Sequence, residues 1–89
     1  MEELNAKFQK AYEVSSSMKE KLPPDIMLKL YAYYKQATKG NKYTKPSGDN
    51  EVRNAFKLNA WFQVNSMTEE EAKIRYIKLV EEITQKPLE

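Results

Sequence analysis

Four stretches of this chain carry apolar residues at helical spacing, and none alternates apolar and polar residues as a half-buried strand does. That periodicity restricts the fold to helices packed on helices. The first stretch places Leu4, Phe8, Ala11, Tyr12, Met18 and Leu22 on one side, with Ser15 as a small polar interruption. Glu2 and Glu3 suit the positive end of its dipole, and Lys19 and Lys21 suit the negative end. Leu22-Pro23-Pro24-Asp25 then breaks the chain and opens a second helix, because proline is tolerated in a first helical turn. The second helix is expected from about Asp25 to Lys39, with Ile26, Leu30, Tyr33 or Tyr34, and Ala37 as its core stripe. A third is expected from about Glu51 to Asn65, capped by Asp49 or Asn50. Val52, Ala55, Phe56, Leu58, Trp61, Phe62 and Val64 make it apolar on more than one face, and Trp61 and Phe62 read as packing residues. Thr68 and Glu71 form a capping box for a fourth helix, which carries Ala72, Tyr76, Ile77, Val80 and Ile83 and ends before Pro87. The expected fold is all-α with four helices.

The connection over residues 40–51 differs from the other turns. It holds both glycines, Pro46, Asn, Ser and Asp, and no hydrophobic repeat. It exceeds the usual helix–helix link of roughly two to eight residues and suits a chain that crosses from one end of a bundle to the other. At 89 residues the chain is expected to be one domain over 1–89. It contains no cysteine and no histidine. Disulfides and thiolate metal sites are therefore excluded, as are Ser-His and Cys-His nucleophile arrangements. No apolar run approaches the roughly 18 residues of a membrane span, and there is no apolar signal segment at the N-terminus. A cytoplasmic, monomeric, non-enzymatic protein is the expectation, with no metal and no cofactor.

Charge is unevenly distributed. Residues 1–34 are balanced, whereas residues 35–57 hold Lys35, Lys39, Lys42, Lys45, Arg53 and Lys57 against Asp49 and Glu51. Such a local excess on a chain of net charge +2 points to an anion site more than to a nucleic-acid surface. Tyr31, Tyr34 and Lys35 share one helical face at i, i+3 and i+4, in a stripe that starts apolar at Met27 and ends basic. If the third helix returns beside the second, Arg53 and Lys57 fall on one side of it and Lys57 faces Lys35. Two unneutralised ammoniums facing each other repel unless an anion lies between them. An aromatic surface beside fixed cations suits a phosphorylated nucleotide. By contrast, Glu69, Glu70 and Glu71 point in different directions and serve a helix N-terminus, and Glu81 and Glu82 read as a solvated face.

The segment Tyr31-x-x-Tyr34-Lys35-Gln36-Ala37-Thr38-x-Gly40, followed by Lys57-x-x-Ala60-Trp61, resembles the acyl-CoA-binding protein family. The prolines before the second helix, Thr68-Glu69-Glu70-Glu71-Ala72 and Tyr76-Ile77 fit the same resemblance, which covers essentially the whole chain. It implies an up-down-down-up four-helix bundle that carries long-chain fatty acyl-CoA thioesters without catalysing a reaction. It implies that Tyr31, Lys35 and Lys57 hold the 3′-phosphate of the CoA ribose, that Tyr34 neighbours the adenine, and that Tyr76 closes the nucleotide pocket. Met27 and Leu28 fall where the family lines its acyl groove, and Arg53 keeps a cation near its family position. The family commonly has lysine at the position of Ala55, tryptophan at that of Leu58 and a basic residue at that of Ser16, which implies a less basic pocket. Acyl-CoA-using enzymes are the implied partners, with no nucleic acid and no stable membrane insertion. A reading of another class stays open on residue chemistry alone: a helical module presenting a basic aromatic surface to a protein or polyanion.

Overall fold

The computed structural model describes residues 2–18, 21–43 and 50–87, which form four helices and, among the described residues, no strand. These are α1 (Glu2–Ser17), α2 (Pro24–Lys39), α3 (Glu51–Gln63) and α4 (Glu69–Thr84). Of the features expected from sequence, Lys19, Lys45, Pro46, Gly48 and Asp49 lie outside the described residues.

Local chemistry explains the boundaries. α1 stops at Ser17, short of the expected Leu22. Ser15 Oγ donates to Tyr12 O at 3.1 Å and Ser17 Oγ to Val14 O at 3.0 Å, so hydroxyls compete for carbonyls of the last turn. Leu22 and Lys21 consequently lie beyond the helix, and Lys21 does not complement its dipole. α2 begins one residue early, with Pro24 as its first residue after Pro23. It ends at Gly40, where φ is +57° and a side chain would be strained; a Cβ there would also meet Glu69 Oε2 at 3.3 Å. Asn50 caps α3, its side chain accepting from Arg53 N–H at 2.9 Å. α3 ends at Gln63, two residues before the expected Asn65, as the chain turns through Val64 and Asn65. The capping box of α4 forms as expected: Glu71 N–H donates to Thr68 Oγ1 at 3.1 Å, and Thr68 N–H to Glu71 Oε1 at 3.5 Å.

Contacts between helices give their directions. Tyr31 meets Lys57, and further along both helices Gln36 meets Trp61, so α2 and α3 run the same way. Asn5 meets Lys73 and Phe8 meets Tyr76, so α1 and α4 are also parallel to each other. Tyr34 meets Tyr76 while Gln36 reaches back to Met67, so α4 runs against α2. The topology is up-down-down-up. Parallel α2 and α3 require a connection as long as α3, about 20 Å at 1.5 Å per residue, which accounts for the long segment between Gly40 and Asn50.

The core lies among α1, α2 and α4. Phe8, Ala11, Ala37, Ala72, Tyr76, Ile77 and Val80 are buried there, with Leu4, Val14, Leu30, Tyr33 and Tyr34 packed against them. α3 packs on α2 alone among the helices. One flank of α3 is therefore left bare, with Val52, Phe56 and Phe62 exposed. This corrects the expectation that Trp61 and Phe62 both pack inward: Trp61 is fully buried, whereas Phe62 is 56% exposed, with its ring beside that of Tyr43.

Candidate functional site

The open flank of α3 and the N-terminal half of α2 enclose a cavity of about 1180 Å³. Met27 and Leu28 line it from α2, Val52, Arg53, Phe56 and Lys57 from α3, and Ser15 and Met18 from the end of α1. Lys21 and Leu22 reach it from the link into α2. Among the described residues its lining includes Lys21, Arg53 and Lys57 and no carboxylate. Its apolar lining is unusually bare: Met27, Val52 and Phe56 are each more than half exposed. The cavity is thus apolar along its walls, and its charged lining among the described residues is cationic.

At one end of this cavity the structure brings Tyr31, Lys35 and Lys57 together. Lys35 Nζ lies 5.7 Å from the centre of the Tyr31 ring and Lys57 Nζ lies 5.5 Å from it. Lys35 Nζ also sits 6.0 Å from the Trp61 ring. Facing ammoniums of this kind gain from ring faces but still repel each other. The Tyr31 hydroxyl is buried with no hydrogen-bond partner among the described residues. A buried hydroxyl left unpaired costs about 1–3 kcal/mol, so such a group beside two cations is a donor prepared for an anionic acceptor. Burial also pushes the Tyr31 phenol above its ordinary pKa. Arg53 stands one turn before Lys57 on the same side of α3 and extends the positive wall.

Tyr34 and Tyr76 occupy a different environment. Tyr34 stacks on Tyr12 at 4.7 Å and on Phe8 at 5.6 Å, and Tyr76 tilts toward it at 6.0 Å. These rings weld α1, α2 and α4, each pair contributing about 0.5–1.5 kcal/mol beyond area burial. Tyr34 is therefore a packing residue, joined to Phe8, Tyr12 and Tyr76. Tyr76 is 3% exposed, and its hydroxyl is 2.6 Å from Ser15 Oγ. Either hydroxyl can donate in that pair. Burial raises the Tyr76 phenol pKa, the Ser15 hydrogen bond lowers it, and Tyr12 and Tyr34 raise it further. Burial, then Tyr12, raises that of Tyr34.

The positioning of the site depends on Gln36, a residue quoted in the motif above without a role. Its Nε2 donates to Met67 O at 2.8 Å and to Asn41 Oδ1 at 3.1 Å. Its Oε1 accepts from Trp61 Nε1 at 3.2 Å, and that indole N–H also reaches Gly40 O at 3.0 Å. This buried network fixes α3 against the C-terminal half of α2, and so sets Lys57 opposite Tyr31. A polar residue four positions after buried Ala32, on the core side of an amphipathic helix, was the available signal. Sequence reasoning also passed over Lys21, Val52 and Phe56 as cavity residues, because their convergence depends on helix packing. Ala55, Ser16 and Leu58 are exposed. Among the described residues no three His, Cys, Asp or Glu side chains gather to hold a metal ion. No helix is long and apolar enough to cross a membrane, again among the described residues.

Comparison with known proteins agrees with this architecture. A sequence model of the Acyl CoA binding protein family matches residues 5–80. The acyl-CoA-binding protein of Saccharomyces cerevisiae is 30% identical over 79 residues, covering 89% of this chain and 91% of the yeast protein. Acyl-CoA-binding protein homolog 1 of Caenorhabditis elegans is 32% identical over 79 residues, covering 89% and 92%. Acyl-CoA-binding domain-containing protein 5 of Bos taurus is 42% identical over 60 residues, which are 66% of this chain but only 11% of that longer protein. The crystal structure of Oryza sativa acyl-CoA-binding protein 2 superposes with a TM-score of 0.81 at 29% identity, covering 92% of this chain and 89% of the rice chain.

Proposed function

Because the chain belongs to the acyl-CoA-binding protein family, we propose that it binds long-chain fatty acyl-CoA thioesters and carries them without catalysing a reaction. The observation that carries the site assignment is the buried Tyr31 hydroxyl, without a partner among the described residues, on a ring whose centre lies 5.7 and 5.5 Å from the Lys35 and Lys57 ammoniums. Tyr31, Lys35 and Lys57 hold the 3′-phosphate of the CoA ribose, each charge-assisted hydrogen bond contributing about 1.5–3 kcal/mol. Tyr34 stands beside the adenine, and Tyr76, at 3% exposure, closes the nucleotide pocket from the core side by packing against Tyr34. Arg53 adds charge toward the remaining phosphates, and the acyl chain lies along Met27 and Leu28. The ligand is cargo, and no cofactor is required.

Magnitudes assign different tasks to the two halves of the site. About 14 methylenes of a palmitoyl chain at ~0.8 kcal/mol each amount to ~11 kcal/mol of gross burial. Association and ordering costs remove much of it. Chain burial therefore sets preference among acyl lengths, and the tyrosine–lysine grip separates CoA esters from free fatty acids. On this reading the 89 residues act as one domain and a monomer, in the cytoplasm, delivering ligand to acyl-CoA-using enzymes.

Titration calorimetry with palmitoyl-CoA, palmitate and free CoA tests the proposal. Saturable binding near one to one that needs both parts of the thioester is expected. Lys35→Ala should weaken palmitoyl-CoA binding more than about tenfold, or 1.4 kcal/mol, while the helical circular dichroism spectrum stays unchanged. Unaltered affinity in that variant would remove the phosphate role of Lys35.

A further inference from the structure

The parallel register of α2 and α3 orders the cavity along its length. Lys57 stands opposite Tyr31 at the cationic end. Val52 lies five residues earlier on α3, about 7–8 Å along the axis. Met27, one turn before Tyr31 on α2, lines the same cavity. Phe56 immediately precedes Lys57, and its ring is 58% exposed while lining the cavity. It is the largest apolar side chain of the lining, and it stands where charge gives way to hydrocarbon.

A ligand held by its ribose phosphate at Lys57 does not place its thioester there. The diphosphate and pantetheine arm that joins ribose to sulfur is longer than a helical turn, so the sulfur comes to rest well away from the phosphate grip. The bare apolar walls nevertheless converge on the grip, because Lys57 and Phe56 line the same cavity as Met27 and Val52. A long acyl chain gains burial by turning back along these walls toward Lys57. Its last methylenes then reach Phe56, which a short chain does not.

Resting on the acyl-CoA reading of this site, we infer that Phe56 is a specificity-determining residue that contacts the terminal methylenes of long acyl chains and sets the chain-length preference. Phe56 contributes nothing to free CoA, little to a short-chain ester and most to a long one. Val52, further from the grip, meets methylenes that shorter chains also possess.

The test is calorimetric titration of the whole chain and of Phe56→Ala with free CoA, octanoyl-CoA, lauroyl-CoA and palmitoyl-CoA. Phe56 is largely exposed, so the variant should keep its thermal midpoint, and Phe56→Leu serves as a bulk-preserving control that should retain most affinity. The expected result is a loss of about tenfold for palmitoyl-CoA, a change within about twofold for octanoyl-CoA, and no change for free CoA. Val52→Ala should lower lauroyl-CoA and palmitoyl-CoA binding alike. Equal loss at every chain length, an equal loss for free CoA, or no loss at all would overturn the role of Phe56. Failure of the unsubstituted chain to bind palmitoyl-CoA would instead overturn the functional reading on which it rests.

Discussion

The two ends of the α2–α3 contact are built from similar materials and finished in opposite ways. At one end Gln36, Trp61, Gly40 and Met67 exchange hydrogen bonds in a buried network. At the other, the Tyr31 hydroxyl is buried and unpaired, and two ammoniums face one ring. Both ends combine an aromatic ring with polar side chains at a helix–helix contact. The first satisfies its polar groups internally and holds the helices together. The second leaves them unsatisfied, and α3 has no third helix to cover its outer flank. Stability is thereby concentrated away from the cavity, so that the open end can keep an arrangement that packing alone would not favour.

The largest test of this division is Trp61→Ala. Loss of a fully buried tryptophan should cost about 3–5 kcal/mol, because α3 has few other buried residues to hold it. Trp61 is the only tryptophan, so urea unfolding is followed by circular dichroism instead of fluorescence. A loss below about 1 kcal/mol would mean that the closed end does not anchor α3, and the contrast between the ends would collapse.

How much of this was legible beforehand depended on whether the signal was local. Thr68 and Glu71 announce their helix because a capping box is complete within four residues. The long segment after Gly40 announces the crossing connection by composition. Phosphate-like chemistry was visible because Tyr31, Tyr34 and Lys35 share one helical face, although the sequence alone did not show that Tyr34 would also be engaged by rings from α1 and α4. The end of α1 was misjudged because Met18 and Leu22 continue the apolar period past the point where serine hydroxyls compete with the helix. Periodicity reports which side chains prefer burial, and it does not report which backbone carbonyls have found other donors. The bare flank of α3 was invisible for a further reason. An apolar face reads the same whether another helix or a ligand covers it, and only the packing shows that Phe56 is left 58% exposed on the cavity.

Two tyrosine hydroxyls sharpen the comparison through smaller effects. Tyr31→Phe removes a hydroxyl that lacks a partner, so stability should hold or rise, while palmitoyl-CoA affinity falls several-fold, by about 0.5–1.5 kcal/mol. Tyr76→Phe removes a hydroxyl bonded to Ser15, and stability should fall by about 1 kcal/mol at neutral pH. Stability lost equally in both variants would erase the distinction between a satisfied and an unsatisfied end.

Their alkaline behaviour follows from the same burial, which raises both phenols above their ordinary 10.0. Around and above pH 10 the unfolded chain releases these protons while the folded chain retains them, so the unfolded state binds fewer protons and stability declines as pH rises. Below that range neither state ionises and the term vanishes. Each Tyr→Phe variant should therefore lose less stability than the unsubstituted chain between neutral pH and about pH 11, measured as the difference in urea midpoint so that lysine titration, common to all three proteins, cancels. Tyr76, 3% exposed and packed against the rings of Phe8 and Tyr34, should give the larger protection, because Tyr31 is only half-buried. An alkaline decline identical in all three proteins would mean that neither phenol is shielded from water in the folded chain, and that the unpaired Tyr31 hydroxyl is solvated.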